Sequence, residues 1–146
     1  MRHLDYPPVW LAGCLGLALL QQAVWPTAVP GWLAAAGTGL ALAGAAIMAA
    51  AAVEFARART TIVPHRAPAA LITGGIFRLS RNPIYLADAL ILAGLALRWG
   101  AWPSLVLVPA FVAVITARFV RAEEARLRAA FGSAFDAYAA RTRRWI

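Results

Sequence analysis

Four apolar runs, set apart by short turns or arginine-rich segments, give the chain its pattern. Residues 9–24 are apolar apart from Gln21 and Gln22. Trp10 and Trp25 stand near the two ends, where aromatic rings anchor helices at a membrane interface. Residues 32–53 form a run of 22 residues, about 33 Å long as a helix and enough to cross a bilayer. Within it Gly37, Ala41, Ala45 and Ala49 recur every fourth residue, a small-residue stripe that lets another helix approach closely. Residues 84–97 are short for a span unless the helix extends through Arg98 and Trp99, whose ends can snorkel. Residues 101–117 make the fourth run, with Pro109 expected to kink it.

The pattern then turns amphipathic without a break. Charged residues cluster from Arg118 to Arg128, while Leu127, Phe131 and Phe135 recur every fourth position. These periods predict an all-α, polytopic membrane protein with about four transmembrane helices, the last running on as a C-terminal amphipathic helix at the cytoplasmic surface. Residues 1–146 read as one integral membrane domain, with no second soluble domain or repeat.

Composition agrees. The chain is 62% hydrophobic and 14% charged, where a soluble domain has about half its residues apolar and a quarter charged. The net charge of +8 comes from 14 arginines against six acids, with no lysine. Such a balance often signals nucleic acid, but here the arginines flank apolar runs, as the positive-inside rule requires. Arg2, the five arginines between the second and third runs and the seven from Arg118 onward fall on one side, Arg98 alone on the other. That asymmetry predicts a multi-pass protein of the cell (inner) membrane with both termini in the cytoplasm. Leu11-Ala12-Gly13-Cys14 looks superficially like a lipoprotein cleavage box. Asp5, Pro7 and Pro8 occupy the place of its apolar region, so the first run reads as a retained membrane helix. With Cys14 the one cysteine, an intrachain disulfide and a cysteine-based metal site are excluded.

The candidate chemistry begins at Arg81-Asn82-Pro83-Ile84-Tyr85. Proline keeps Asn82 out of the helical region, asparagine is a good N-cap, and proline suits the first helical position. The stretch therefore opens the third helix, with free N–H groups beside an arginine: an anion or cofactor site, or a plain cap with an interfacial arginine. Asp88 lies one turn inside, on the face of Tyr85. It is either a functional intramembrane acid or an interfacial carboxylate. Glu123 and Glu124 are either a site or ordinary helix-surface partners of Arg121 and Arg128. His65, alone in a polar loop, and Gly74-Gly75, which permits positive φ, complete the set.

Taken in order, these landmarks resemble the isoprenylcysteine carboxyl methyltransferase family, including its bacterial members and the related phospholipid methyltransferases. Leu71-Ile72-Thr73-Gly74-Gly75-Ile76-Phe77-Arg78 is similar to the family's "L-x-T-x-G-P-[YF]-R", and Arg81 to Tyr85 is similar to "R-[HN]-P-x-Y". Glu123-Glu124, Leu127, Phe131-Gly132, Phe135, Tyr138 and Arg141 follow the closing motif. The likeness is strongest over residues 60–146; each motif alone is weak, and their order carries it.

The resemblance implies an S-adenosylmethionine-dependent methyltransferase acting on a lipophilic acceptor from the bilayer, an isoprenylcysteine-like carboxylate or a lipid headgroup. It implies a cofactor site of His65, Gly75, Phe77, Arg81, Asn82, Pro83, Tyr85, Glu123 and Glu124. Catalytic candidates are Asp88, Tyr85 and Arg141, with no metal and no nucleic-acid partner. Ala87, one turn past Pro83, is small enough to border a passage from the bilayer. An NADPH-dependent membrane reductase and a non-catalytic four-helix membrane protein remain as alternatives. The methyl acceptor and the oligomeric state are not legible.

Overall fold

The computed structural model describes residues 6–59 and 70–146, and all regular structure among them is helical. His65 lies outside the described residues. Helix α1 (Pro7–Val24) opens on two prolines, which suit the first turn, and stops at Trp25, which precedes Pro26. Helix α2 (Gly31–Arg57) follows after a six-residue connection, residues 25–30. A 3₁₀ turn (Gly75–Arg78) leads into α3 (Pro83–Arg98). A second 3₁₀ turn (Trp102–Val106), α4 (Leu107–Ile115), a π-helical segment (Thr116–Val120) and α5 (Arg121–Phe131) join into one long helix. Helix α6 (Ser133–Arg141) closes the chain.

Among the described residues, three stretches rather than four are long and apolar enough to cross a membrane: Pro7–Val24, Gly31–Arg57 and Trp102–Phe131. The third apolar run gives a helix of only 16 residues, about 24 Å against a hydrocarbon core of roughly 30 Å. It stops at Trp99, where Gly100 turns the chain with φ +79°. Helix α3 lies at the centre of the bundle, with Tyr85, Ala87, Leu92 and Ala96 covered by neighbours. Leu17, Leu20, Leu42 and Val53 on α1 and α2 remain exposed, as lipid-facing side chains do.

Helices α2 and α3 touch backbone to backbone. A methyl group on Gly94 would come within 2.5 Å of Gly37 O and Ala41 N, and one on Gly44 within 2.8 Å of Ala87 O. The contact stripe on α2 is therefore Gly37, Ala41, Gly44 and Ala51, not the strict every-fourth series, of which Ala45 and Ala49 are exposed. Four residues turn 400°, so a four-step series drifts about 40° per step. Alternating steps of four and three hold one face. Ala87 is sealed in this contact and borders no passage.

On its other side α3 packs through Tyr85 and Leu92 against Phe111, Ile115 and Phe119. Trp10 joins that cluster under Arg118, whose guanidinium lies 5.5 Å from the ring, so it is a packing residue rather than a free interfacial anchor. At the far end, Gln22 brackets Thr27, the Thr27 hydroxyl donates to Gly100 O, and Ser104 donates to Gln21. The two glutamines of the first run thus tie the turns together.

Pro109 sits in the first turn of α4, where its missing N–H costs little. The irregular geometry lies instead at the 3₁₀ turn before it and the π segment after it. Nor does the amphipathic stretch stay one helix: Gly132, at φ +51°, breaks it. Leu127, Phe131 and Phe135 still converge, on a second cluster with Phe77 and Tyr138.

Candidate active site

Where α1, α3 and α5 begin and α2 ends, a cavity of about 400 Å³ opens. Sites for cofactors and small ligands commonly measure roughly 300–1,000 Å³. Its apolar lining comes from α2, the 3₁₀ turn and the first turn of α3: Met48, Ala52, Phe55, Phe77 and Ile84. Phe55 and Phe77 meet edge to face with centroids 5.7 Å apart. The polar lining is Arg81, Asn82, Tyr85, Asp88 and Glu123, all residues that the sequence singled out.

Asn82 occupies the N-cap position of α3 at φ −129° and ψ 56°, outside the helical region that proline denies it, but its side chain does not cap the helix. Its Nδ2 donates to Arg144 O at 3.0 Å, and its N–H donates to Ser80 Oγ at 3.1 Å. Ser80 Oγ also donates to Arg144 O, and the Arg81 N–H donates to Arg143 O at 3.0 Å. The C-terminal tail is thereby strapped across the start of α3.

Arg81 spends its guanidinium on the protein. Nε and Nη2 donate to Glu124 Oε1 at 3.2 and 2.9 Å, while Nη1 donates to Ala139 O and Thr142 O at 3.0 and 2.7 Å. Arg144 forks the same carboxylate, Nε to Oε1 at 3.0 Å and Nη2 to Oε2 at 2.7 Å. The Arg81 and Glu124 side chains are only 13% and 11% exposed, so each charge needs the other. The hydrogen bonds to Glu124 hold the Arg144 guanidinium above its ordinary range, outweighing the opposing effect of burial.

The acidic pair is therefore divided. Glu124 belongs to this clasp and does not line the cavity, whereas Glu123 Oε2 accepts the Tyr85 hydroxyl at 3.2 Å in the cavity wall. Asp88, 6% exposed, faces the same space one turn further along α3. Phe77 and Pro83 line it as well. Gly75 does not: at φ +52° it lies against Glu54, whose Oε1 a methyl group would meet at 2.5 Å. Arg141 stands apart too, in a surface hollow with Thr73, Gly74, Arg78 and Thr142, its guanidinium 6.0 Å from the Tyr138 ring. The Tyr138 hydroxyl donates to Phe77 O at 2.7 Å. Burial raises its pKa to about 12, against the lowering effect of Arg81 and Arg141.

The sequence did not single out Ser80, Arg144 or the α2 wall. Ser80 and Arg144 are ordinary loop and tail residues by pattern. Met48 and Ala52 are indistinguishable from lipid-facing residues of the same run, and Phe55 falls just past its end. No group of three metal-ligating side chains occurs among the described residues.

A helical membrane protein whose polar bundle end closes over an amphipathic cavity is the class these observations define. The family model for phospholipid methyltransferase matches residues 32–134, more than half of the chain, and the protein belongs to this family of membrane methyltransferases. The match starts earlier than the motifs, at α2, and stops before Phe135, Tyr138 and the tail strap. No curated protein and no solved structure matches the chain.

Proposed function

We propose that this protein transfers the methyl group of S-adenosylmethionine to an amine-bearing lipid at the cytoplasmic face of the cell membrane. The observation that carries the reading is the mixed lining of the cavity, with two carboxylates, Asp88 and Glu123, among aromatic and aliphatic side chains. S-adenosylmethionine has an ammonium, a sulfonium, ribose hydroxyls, an adenine and a carboxylate, and the donor set suits it. Glu123 would accept from the ammonium or the ribose, as acidic residues do in nucleotide sites. Phe77 would flank the adenine, and the start of α3 at Asn82–Pro83 would face the carboxylate. Bound there, the cofactor supplies an electrophilic methyl group.

The chain's own residues then have three tasks. The apolar wall excludes water and admits a lipid tail. Tyr85, held by Glu123, fixes the floor of the cavity. Asp88 is placed to accept the proton an ammonium acceptor must lose before it can act as nucleophile. Two carboxylates in one cavity repel a carboxylate acceptor and attract an amine, which favours a lipid headgroup over an isoprenylcysteine carboxylate.

Calorimetric titration of the detergent-purified protein with S-adenosylmethionine and with NADPH tests the reading. Binding of the first alone is expected; binding of NADPH alone would make the protein a reductase, and binding of neither would leave a scaffold without this chemistry. Among the described residues, Arg98 is the one arginine at the Gly100 end of the bundle, which supports placing the cavity end in the cytoplasm.

A further inference from the structure

We propose that the polar hollow beside α6 seats the phosphate group of a membrane lipid between Arg78 and Arg141. The hollow measures about 520 Å³ and is lined by these two arginines with Thr73, Gly74 and Thr142. Both arginines are exposed, and among the described residues neither has a hydrogen-bond or ion-pair partner. The acids nearest in chemistry are already engaged: Glu54 by Arg57, Glu124 by Arg81 and Arg144, Asp136 by Arg128. Among the described residues, what lines the hollow is thus two planar guanidinium forks, the group that matches phosphate oxygens, while Glu54, which lies against Gly74 and Gly75, is paired with Arg57.

The seat is also held in shape. Arg141 lies over the Tyr138 ring, and the Tyr138 hydroxyl is bonded to the carbonyl of Phe77, the residue before Arg78. The two arginines therefore share one frame. Leu79, next in the chain after Arg78, is 70% exposed at this end of the bundle. An exposed leucine beside an exposed arginine suits the boundary where headgroup phosphates meet acyl chains, and favours a lipid over free phosphate. The Arg81 guanidinium, bonded to Thr142 O, separates the hollow from the cavity. The seat requires no methyl transfer, so it and the proposed activity can fail separately.

The test is binding of a fluorescent short-chain phosphatidic acid to the full-length protein in uncharged detergent. Three further arms compete with it: unlabelled phosphatidic acid, the matching diacylglycerol, and inorganic phosphate. The double variant Arg78→Gln/Arg141→Gln is expected to weaken binding at least tenfold. The control pair Arg121→Gln/Arg143→Gln, equal in charge and exposed at the same end, is expected to change it less than twofold. Arg141→Lys, which keeps the charge but loses the fork, is expected to fall between. Diacylglycerol and inorganic phosphate are expected not to displace the probe at concentrations where phosphatidic acid does. Equal weakening in the control pair would reduce the effect to diffuse surface charge and overturn the seat. Displacement by inorganic phosphate at comparable concentration would overturn the lipid assignment.

Discussion

Arg144, two residues from the end of the chain, closes a two-nitrogen fork on Glu124 at 3.0 and 2.7 Å. Because Arg81 grips the same carboxylate, the tail, α5 and the start of α3 are fastened at one point. The adjacent acid, Glu123, is left to the cavity. Two neighbouring glutamates thus hold different offices.

That division separates their mutants. Glu124→Gln strands the buried guanidinium of Arg81 and is expected to destabilise the protein by about 3 kcal/mol, seen as a lower Tm in detergent. Glu123→Gln removes the charge but keeps an oxygen able to accept the Tyr85 hydroxyl, and is expected to leave Tm within a degree or two. Its affinity for S-adenosylmethionine should fall at least tenfold, roughly 1.4 kcal/mol. If Glu123→Gln binds the cofactor as the parent does, Glu123 has no part in holding it.

Tyr138 gives a pH signature. Burial holds its hydroxyl at a pKa of about 12, above the ordinary value near 10. A tyrosine with a raised folded pKa keeps its proton better when folded. Its contribution is complete below pH 10 and is lost as pH rises towards 12. The parent should therefore lose up to about 2 kcal/mol more than Tyr138→Phe across that interval. Parallel Tm curves for the two proteins from pH 9 to 12 would show that the hydroxyl is not held this way.

The close approach of α2 and α3 predicts a contrast between glycines. A Cβ at Gly94 would stand 2.5 Å from the backbone of α2, whereas one at Gly39 meets nothing within 4 Å. Gly94→Ala is expected to cost about 1–3 kcal/mol by forcing the helices apart. Gly39→Ala should be neutral or stabilise by up to about 1 kcal/mol through helix propensity. Thermal unfolding in one detergent compares them directly; equal shifts would mean that the helices do not touch there.

How far the sequence could be read follows from what periodicity encodes. Helices α1 and α2 and the long fourth helix were legible because unbroken apolar length is itself the signal. The start of α3 was legible because Asn82-Pro83 fixes local backbone. The length of α3 as a span was not, since burial by protein and burial by lipid select the same residues. Arg81, Tyr85, Asp88 and Glu123 were legible as polar residues beside apolar runs, and the structure brings them to one cavity. The separation of Glu123 from Glu124 was hidden. Neighbouring helical residues point about 100° apart, and only the position of Arg81 and the tail decides which acid is taken. Arg144 carried no local signal at all.

The cavity wall also corrects where lipid access should be tested. Ala87, small and near Pro83, is sealed between α2 and α3 with no exposed surface. Ala87→Trp is therefore expected to unfold the bundle rather than narrow a passage. Ala52 is the better position: it lines the cavity from α2 and is exposed rather than sealed. A polar cofactor comes from the water, while a lipid acceptor is concentrated in the hydrocarbon, so the acceptor should pass beside Ala52. Ala52→Trp is expected to raise the apparent KM for a lipid acceptor several-fold while leaving S-adenosylmethionine affinity within twofold. Screening labelled methyl transfer into membrane lipid extracts would supply that acceptor. If both affinities fell together, the tryptophan would be filling the cofactor's place, and access from the side would lose its support. If the best acceptor were a small, fully water-soluble amine, there would be no lipid to admit, and the opening at Ala52 would need another explanation.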